Sequence, residues 1–211
     1  MVDGIAEEDR VILTSVGYIN QDISLLFPLW AGVPARERAT LLVEHTVTNP
    51  NRFWRLYGIP ACAEENQLPE AESCQSVHVA WNAMVGEGLL AYGYRTQAAE
   101  LVTRLMAAIV RSLKQENAFR KYYHAGTGQG IGEWNDLNGL APLGLFLDTL
   151  GVRLISPRQV ALTGFNPYPW PVTVKYRGLT VLRQPEKTTV IFPDGQAVSV
   201  DDPSPCLVTL E

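Results

Sequence analysis

Apolar positions along the chain keep a helical period as far as about residue 150 and change to alternation after it. The clearest helical stretch is residues 96–116, where Ala98, Leu101, Val102, Leu105, Met106, Ile109, Val110 and Leu113 recur at steps of 3 and 1. Such spacing draws one apolar stripe about 100° wide down a helix. Thr96 is placed to cap its start, while Glu100 near the first turn and Arg111 and Lys114 towards the last match the helix dipole. Upstream, residues 76–92 carry Val77, Trp81, Met84, Val85, Leu89 and Tyr92 and stop at Gly93, and the short connection between the two stretches predicts an antiparallel pair. Residues 22–31 predict a short helix ended by Gly32, Pro34 opens another over 35–46 that ends at Asn49-Pro50, and 136–150 predict a last helix stopped by Gly151.

Beyond Gly151 the pattern is that of strands. Val172, Val174 and Tyr176 alternate with Thr173 and Lys175, Arg177-Gly178 makes a turn, and Leu179 to Leu182 returns. Thr188 to Phe192 and Ala197 to Val200 are joined by Pro193-Asp194-Gly195, a strong turn tripeptide. The Asn166-Pro-Tyr-Pro-Trp-Pro segment runs extended, because each proline removes a donor and restricts the residue before it. The predicted architecture is mainly α: antiparallel helical hairpins in an array or toroid over 1–151, followed by a small antiparallel β module over 152–211.

Composition narrows the possible partners. A chain of 211 residues with 46% hydrophobic content buries roughly 70% of its unfolded surface, enough for one sizeable core or a core plus a small module. A net charge of -5 supplies no basic field for nucleic acid or an anionic membrane. The three cysteines, Cys62, Cys74 and Cys206, have neither zinc-site spacing nor the density of a disulfide scaffold, so reduced thiols in a cytoplasm are expected. No apolar run approaches the roughly 20 residues of a membrane span. The acidic start (Asp3, Glu7, Glu8, Asp9) lacks the basic flank of a signal peptide, although a start cut from a longer precursor would look the same.

The stretch Phe119 to Glu133, with two tyrosines, a histidine and a glycine-rich loop, is better suited to lining a sugar-binding cleft than to building a core. With Ser24-Leu-Leu-Phe-Pro-Leu-Trp-Ala-Gly, Asn49-Pro-Asn-Arg-Phe-Trp, Tyr57-Gly-Ile-Pro, Trp81-Asn-Ala-Met-Val-Gly-Glu-Gly-Leu-Leu-Ala-Tyr-Gly-Tyr and the Tyr122-Tyr-His and Thr127-Gly-Gln-Gly-Ile-Gly segments, it resembles the C-terminal half of the (α/α)6-barrel, six-hairpin glycoside hydrolases. The resemblance is to mannosylglycerate hydrolase, processing α-glucosidase and amylo-α-1,6-glucosidase-like proteins, with trehalase more distant, and covers about residues 15–150. It implies a carbohydrate-metabolism hydrolase acting on or binding an α-linked saccharide. It also implies that the first half of the ring, with its general-acid aspartate, comes from a longer polypeptide or a second copy. Where the family often carries a general-base glutamate, two residues after the Phe of the loop, this chain has Lys121, which cannot take a proton while charged. A non-catalytic carbohydrate-binding or assembly module that has lost its base is therefore the alternative, and a packing remnant the third.

Inverting hydrolysis needs two carboxyls roughly 6.5 to 9.5 Å apart, and Glu133 and Glu87 are the candidates. Each has a structural reading that outweighs the catalytic one: Glu133 as an N-cap or first-turn acid of the next helix, and Glu87, between Gly86 and Gly88, as a buried, hydrogen-bonded helix residue. Trp54, His78, Trp81, Tyr123 and His124 are the candidate sugar contacts, since aromatic faces take C–H faces and ring nitrogens take hydroxyls. Trp81 and His78 share a helical face and read also as core, and of Tyr122 and Tyr123, which point apart on any regular backbone, Tyr123 is the candidate. The glycine loop lacks the phosphate-cradle order and follows a helix rather than a strand. His45, His78 and His124 lack metal-ligand spacing, so neither metal nor cofactor is expected.

Overall fold

The computed structural model describes residues 21–63 and 74–210. Among these, a 3-10 turn, Ile23–Leu26, leads into helix α1 (Phe27–Trp30), followed by α2 (Arg36–Leu42), which continues as a π turn over Val43–Val47. Strand β1 (Ser76–Val77), helices α3 (Val79–Ala91) and α4 (Arg95–Glu116), and strands β2 (Arg120–His124) and β3 (Gly130–Trp134) come next. A 3-10 turn and α5 (Leu143–Leu150) then lead to β4 (Val152–Ser156), β5 (Gln159–Leu162), β6 (Val172–Tyr176), β7 (Leu179–Arg183), β8 (Thr188–Ile191), β9 (Ala197–Val200) and β10 (Cys206–Thr209). The strands form three antiparallel sheets, ordered β1-β2-β3, β10-β5-β4 and β6-β7-β8-β9.

This overturns the mainly α expectation. The fold is a mixed, β-rich α/β arrangement, and only α3 with 13 residues and α4 with 22 are long helices. Two local causes account for the difference. The glycine-rich stretch after α4 is a bulged hairpin, because consecutive tyrosines on β2 find backbone partners on β1 (Val77 opposite Tyr123) and β3. The expected 136–150 helix begins only at Leu143, since Pro142, without an N–H, stands at its start behind a separate 3-10 turn, Leu137–Gly139.

Other expectations meet their elements closely. Helix α4 starts one residue before Thr96, with Tyr94 rather than Thr96 in the cap position and no side-chain cap bond. Gly93 and Gly151 follow α3 and α5 with positive φ. The β6-β7 and β8-β9 hairpins turn at Arg177-Gly178 and Pro193-Asp194-Gly195. The thiol expectation fails: Cys62 and Cys74 form a disulfide, leaving Cys206 as the free cysteine. With it goes the ground for placing the chain in a reducing cytoplasm. No helix among the described residues is long and apolar enough to cross a membrane.

Helix α4 lies between two cores. Its Ala98, Leu101, Leu105, Ala108 and Ile109 join Leu26, Leu29, Phe53, Ile59, Val85 and Tyr123 in the first. Its Ala99 and Val102 join Leu145, Leu150, Val160, Leu179, Val181 and Phe192 in the second, which ties the helices to the strands of the tail. Helices α1 and α3 meet backbone to backbone at Gly88, where an added Cβ would lie 2.7 Å from Trp30 N and 2.8 Å from Leu29 C. Arg183, 2% exposed, knots the tail to α5: its guanidinium donates to the carbonyls of Leu150, Thr163 and Gly164 and to Thr188 Oγ1. Burial lowers its pKa to about 10, ahead of the neighbouring Arg95 charge, which leaves it ionised at neutral pH.

Candidate functional site

Two elements bring the aromatic residues together. Strand β1 ends at Val77, and His78 is the extended residue before the first turn of α3, which places Trp81 beside it. Buried Asn82 fixes that turn: its side chain accepts from Ile59 N at 2.7 Å and donates to Ile59 O at 2.9 Å and His78 O at 3.0 Å. Strand β2 then supplies Tyr122. The His78 ring lies 3.9 Å from that of Trp81 at an interplanar angle of 3°, and 4.1 Å from that of Tyr122 at 35°. Phe27 meets Trp81 edge-on at 6.3 Å.

Two hollows adjoin this stack. A small one of about 150 Å³ is bounded by His78, Trp81, Tyr122, Lys121 and Asn138. A larger one of about 490 Å³ shares His78 and Trp81 and adds Asp22, Ile23, Phe27 and Cys62. His78 covers one face of Trp81, so a ligand would use the other face and the edges of the indole, which is 39% exposed. The disulfide holds the wall of the larger hollow, with Cys62 N donating to Cys74 O at 3.0 Å and Ala61 N to Ser76 O at 2.9 Å.

Lys121, which lines the small hollow, is ion-paired through Nζ to Glu133 Oε1 at 3.2 Å. The hydrogen bond to Glu133 holds the Lys121 pKa above its ordinary value. Glu133 is held below the ordinary carboxylate range, first by its own backbone amide and then by Lys121. Burial, and secondarily the Lys121 charge, push the His78 pKa down, so its ring is neutral at pH 7.

The other candidates lie elsewhere. Tyr123 is fully buried and is a core residue rather than a cleft residue: neighbours on a strand face opposite ways, and the β1 pairing turns this one inward. Its hydroxyl donates to Gly139 O at 2.8 Å. Trp54 is 8% exposed, with its Nε1 donating to Glu100 at 3.2 Å and Arg104 over its ring. His124 holds its turn through Nδ1, which accepts from the amides of Gly126 and Thr127. Glu87 accepts from Trp30 Nε1 at 2.9 Å and borders a different hollow. The stack and the small hollow beside it thus unite His78 and Trp81 with two residues outside the sequence candidates, Tyr122 in the stack and Asn138 in the hollow's lining. Strand alternation, had the segment been read as a strand, would have exchanged Tyr122 for Tyr123; Asn138, five residues past Glu133, carries no sequence signal. Among the described residues no group of three or more His, Cys, Asp or Glu side chains is placed to hold a metal.

No family model and no curated protein matches the chain. Among solved structures, the chain is similar to a GH63 mannosylglycerate hydrolase from Thermus thermophilus in complex with glucose, at 28% identity and a TM-score of 0.49, over 62% of this chain and 30% of that one. It is similar to the neutral trehalase of Saccharomyces cerevisiae at 22% identity and a TM-score of 0.49, over 62% of this chain and 24% of that one. A sialidase matches at 10% identity and a TM-score of 0.55, over 90% of this chain and 20% of that one, a likeness of fold alone. The chain therefore spans about a third or less of the length of each of these proteins.

Proposed function

We propose that this chain is the saccharide-binding portion of a glycoside hydrolase-like protein, and that an α-linked sugar sits against the Trp81-His78-Tyr122 stack. The observation that supports this reading is the stack itself, a part-exposed indole held rigid by two further rings between two hollows. A C–H face of a pyranose ring packs on an aromatic plane, and the Asn138 amide and Lys121 ammonium stand at the rim to meet hydroxyls. The quoted motifs, through their resemblance to glycoside hydrolases, point the same way. In this reading the catalytic acid comes from a longer polypeptide or from a second copy of the chain.

A specific observation favours binding without turnover by this chain alone. Hydrolysis needs one protonated and one ionised carboxyl facing one bond. Glu133 is ion-paired to Lys121, and Glu87 borders a separate hollow. The decisive comparison is between binding and turnover of a 4-nitrophenyl α-glucoside. The expected outcome is saturable binding with no nitrophenol released by wild type or by Glu133→Gln. Release by wild type that Glu133→Gln abolishes would instead make this chain the catalyst.

A further inference from the structure

A further hollow, bordered by Glu87, lies away from the Trp81 stack. It measures about 510 Å³ and sits between the end of α3, the start of α4 and the β4-β5 hairpin. That is within the ~300–1,000 Å³ range of small-molecule sites. Its charged lining is two carboxylates, Glu87 and Asp148, and two guanidinium groups, Arg95 and Arg153. Outside this lining, Trp30, 49% exposed, donates its indole N–H to Glu87 Oε2 at 2.9 Å.

The walls are preformed. Arg95 Nη1 donates to Thr149 O at 2.9 Å, and Thr163 N donates to Gly151 O at 2.9 Å. A Cβ at Gly151 would lie 1.8 Å from Thr163 O, so helix end and hairpin are in direct backbone contact. Yet Asp148 and Arg153, opposite charges bordering one hollow, make no side-chain hydrogen bond or ion pair with each other or with any other described residue, and Glu87 Oε1 is likewise unengaged. Unpaired charges of both signs around one hollow offer acceptors and donors to a ligand.

From this arrangement we infer a second ligand site, separate from the Trp81 stack, for a neutral polyhydroxylated molecule of disaccharide size. The lining is balanced in charge. A singly charged ligand meets as much repulsion as attraction, whereas vicinal hydroxyls donate to Glu87 and Asp148 and accept from Arg153, matching both signs at once. Leu90, Ala91 and Val152, which also line the hollow, offer an apolar surface to the C–H face of the same molecule. The site does not depend on the proposed sugar stack, since the two share no residue.

The Trp30 indole N–H, bonded to Glu87, is a built-in reporter. Its ¹H–¹⁵N resonance is followed in the whole chain while trehalose, and separately the sugar acid glucuronate, is added. A saturable shift with trehalose is expected, with a half-saturating concentration raised about tenfold in Asp148→Ala and in Arg153→Ala and unchanged in Trp81→Ala. Glucuronate should bind more weakly than trehalose. Three results would each overturn the inference: no saturable shift with trehalose, tighter binding of glucuronate, or loss of the shift in Trp81→Ala. Circular dichroism of Asp148→Ala and Arg153→Ala, both exposed positions, separates loss of the site from loss of the fold.

Discussion

Tyr122 and Tyr123 are neighbours in sequence with opposite fates, one lining a hollow and the other buried to 0% exposure. Composition alone marks the segment as aromatic and polar; which tyrosine faces ligand follows from strand alternation, which becomes visible only once β1 is known to pair with β2. Trp81 and His78 are legible in sequence through their spacing of three residues, although His78 is the extended residue before α3, whereas Asn82, whose three hydrogen bonds hold that turn, looks like any helix asparagine. Replacing Tyr123 by Phe removes the buried bond to Gly139 O and should cost about 1–2 kcal/mol in a denaturant titration, with sugar affinity unchanged. His78 supplies a pH signature. Its folded pKa lies below the unfolded value of about 6.5, so the unfolded chain binds the proton first. Its contribution to stability is therefore complete above pH ~6.5 and is lost as pH falls from there through the folded pKa. Denaturant midpoints measured across that window should fall with acidity in wild type and less so in His78→Gln.

At the scale of elements, the long amphipathic helix and the two tail hairpins can be read directly, because their signals are local: a 3.6-residue stripe and turn residues between alternating runs. Strands β1, β2 and β10 cannot, since each is defined by a partner far along the chain. The Cys62–Cys74 bridge is hidden for a related reason, as an odd cysteine count obscures a single pair. The bridge closes a loop with a sequence separation of 12 residues, which by the chain-entropy estimate stabilises by about 3 kcal/mol. Cys62→Ser/Cys74→Ser should lose about that much on thermal unfolding and loosen the wall beside His78. Gly88 offers a test of opposing effects. Alanine is the better helix former by about 1 kcal/mol, but its Cβ would meet the α1 backbone, so Gly88→Ala should destabilise by roughly 1–3 kcal/mol.

For the whole molecule, α4 is the shared wall of two cores, and the tail is packed onto the helices rather than appended to them. That packing sets the hollow between α3, α4 and the β4-β5 hairpin, while the first core carries the Trp81 stack. Leu145 of α5, 1% exposed, contacts the second core from the helical side, and Leu145→Ala should cost about 2–5 kcal/mol and unfold helices and strands together in a single transition. The central claim is that the Trp81-His78-Tyr122 stack holds a sugar. Its most direct test is to follow the Trp81 indole and His78 ring resonances while methyl α-glucoside and methyl α-mannoside are added. A sugar seated on the stack predicts saturable shifts of both residues with at least one of the two glycosides, abolished in Tyr122→Ala, and resonances that stay in place throughout with both would contradict it.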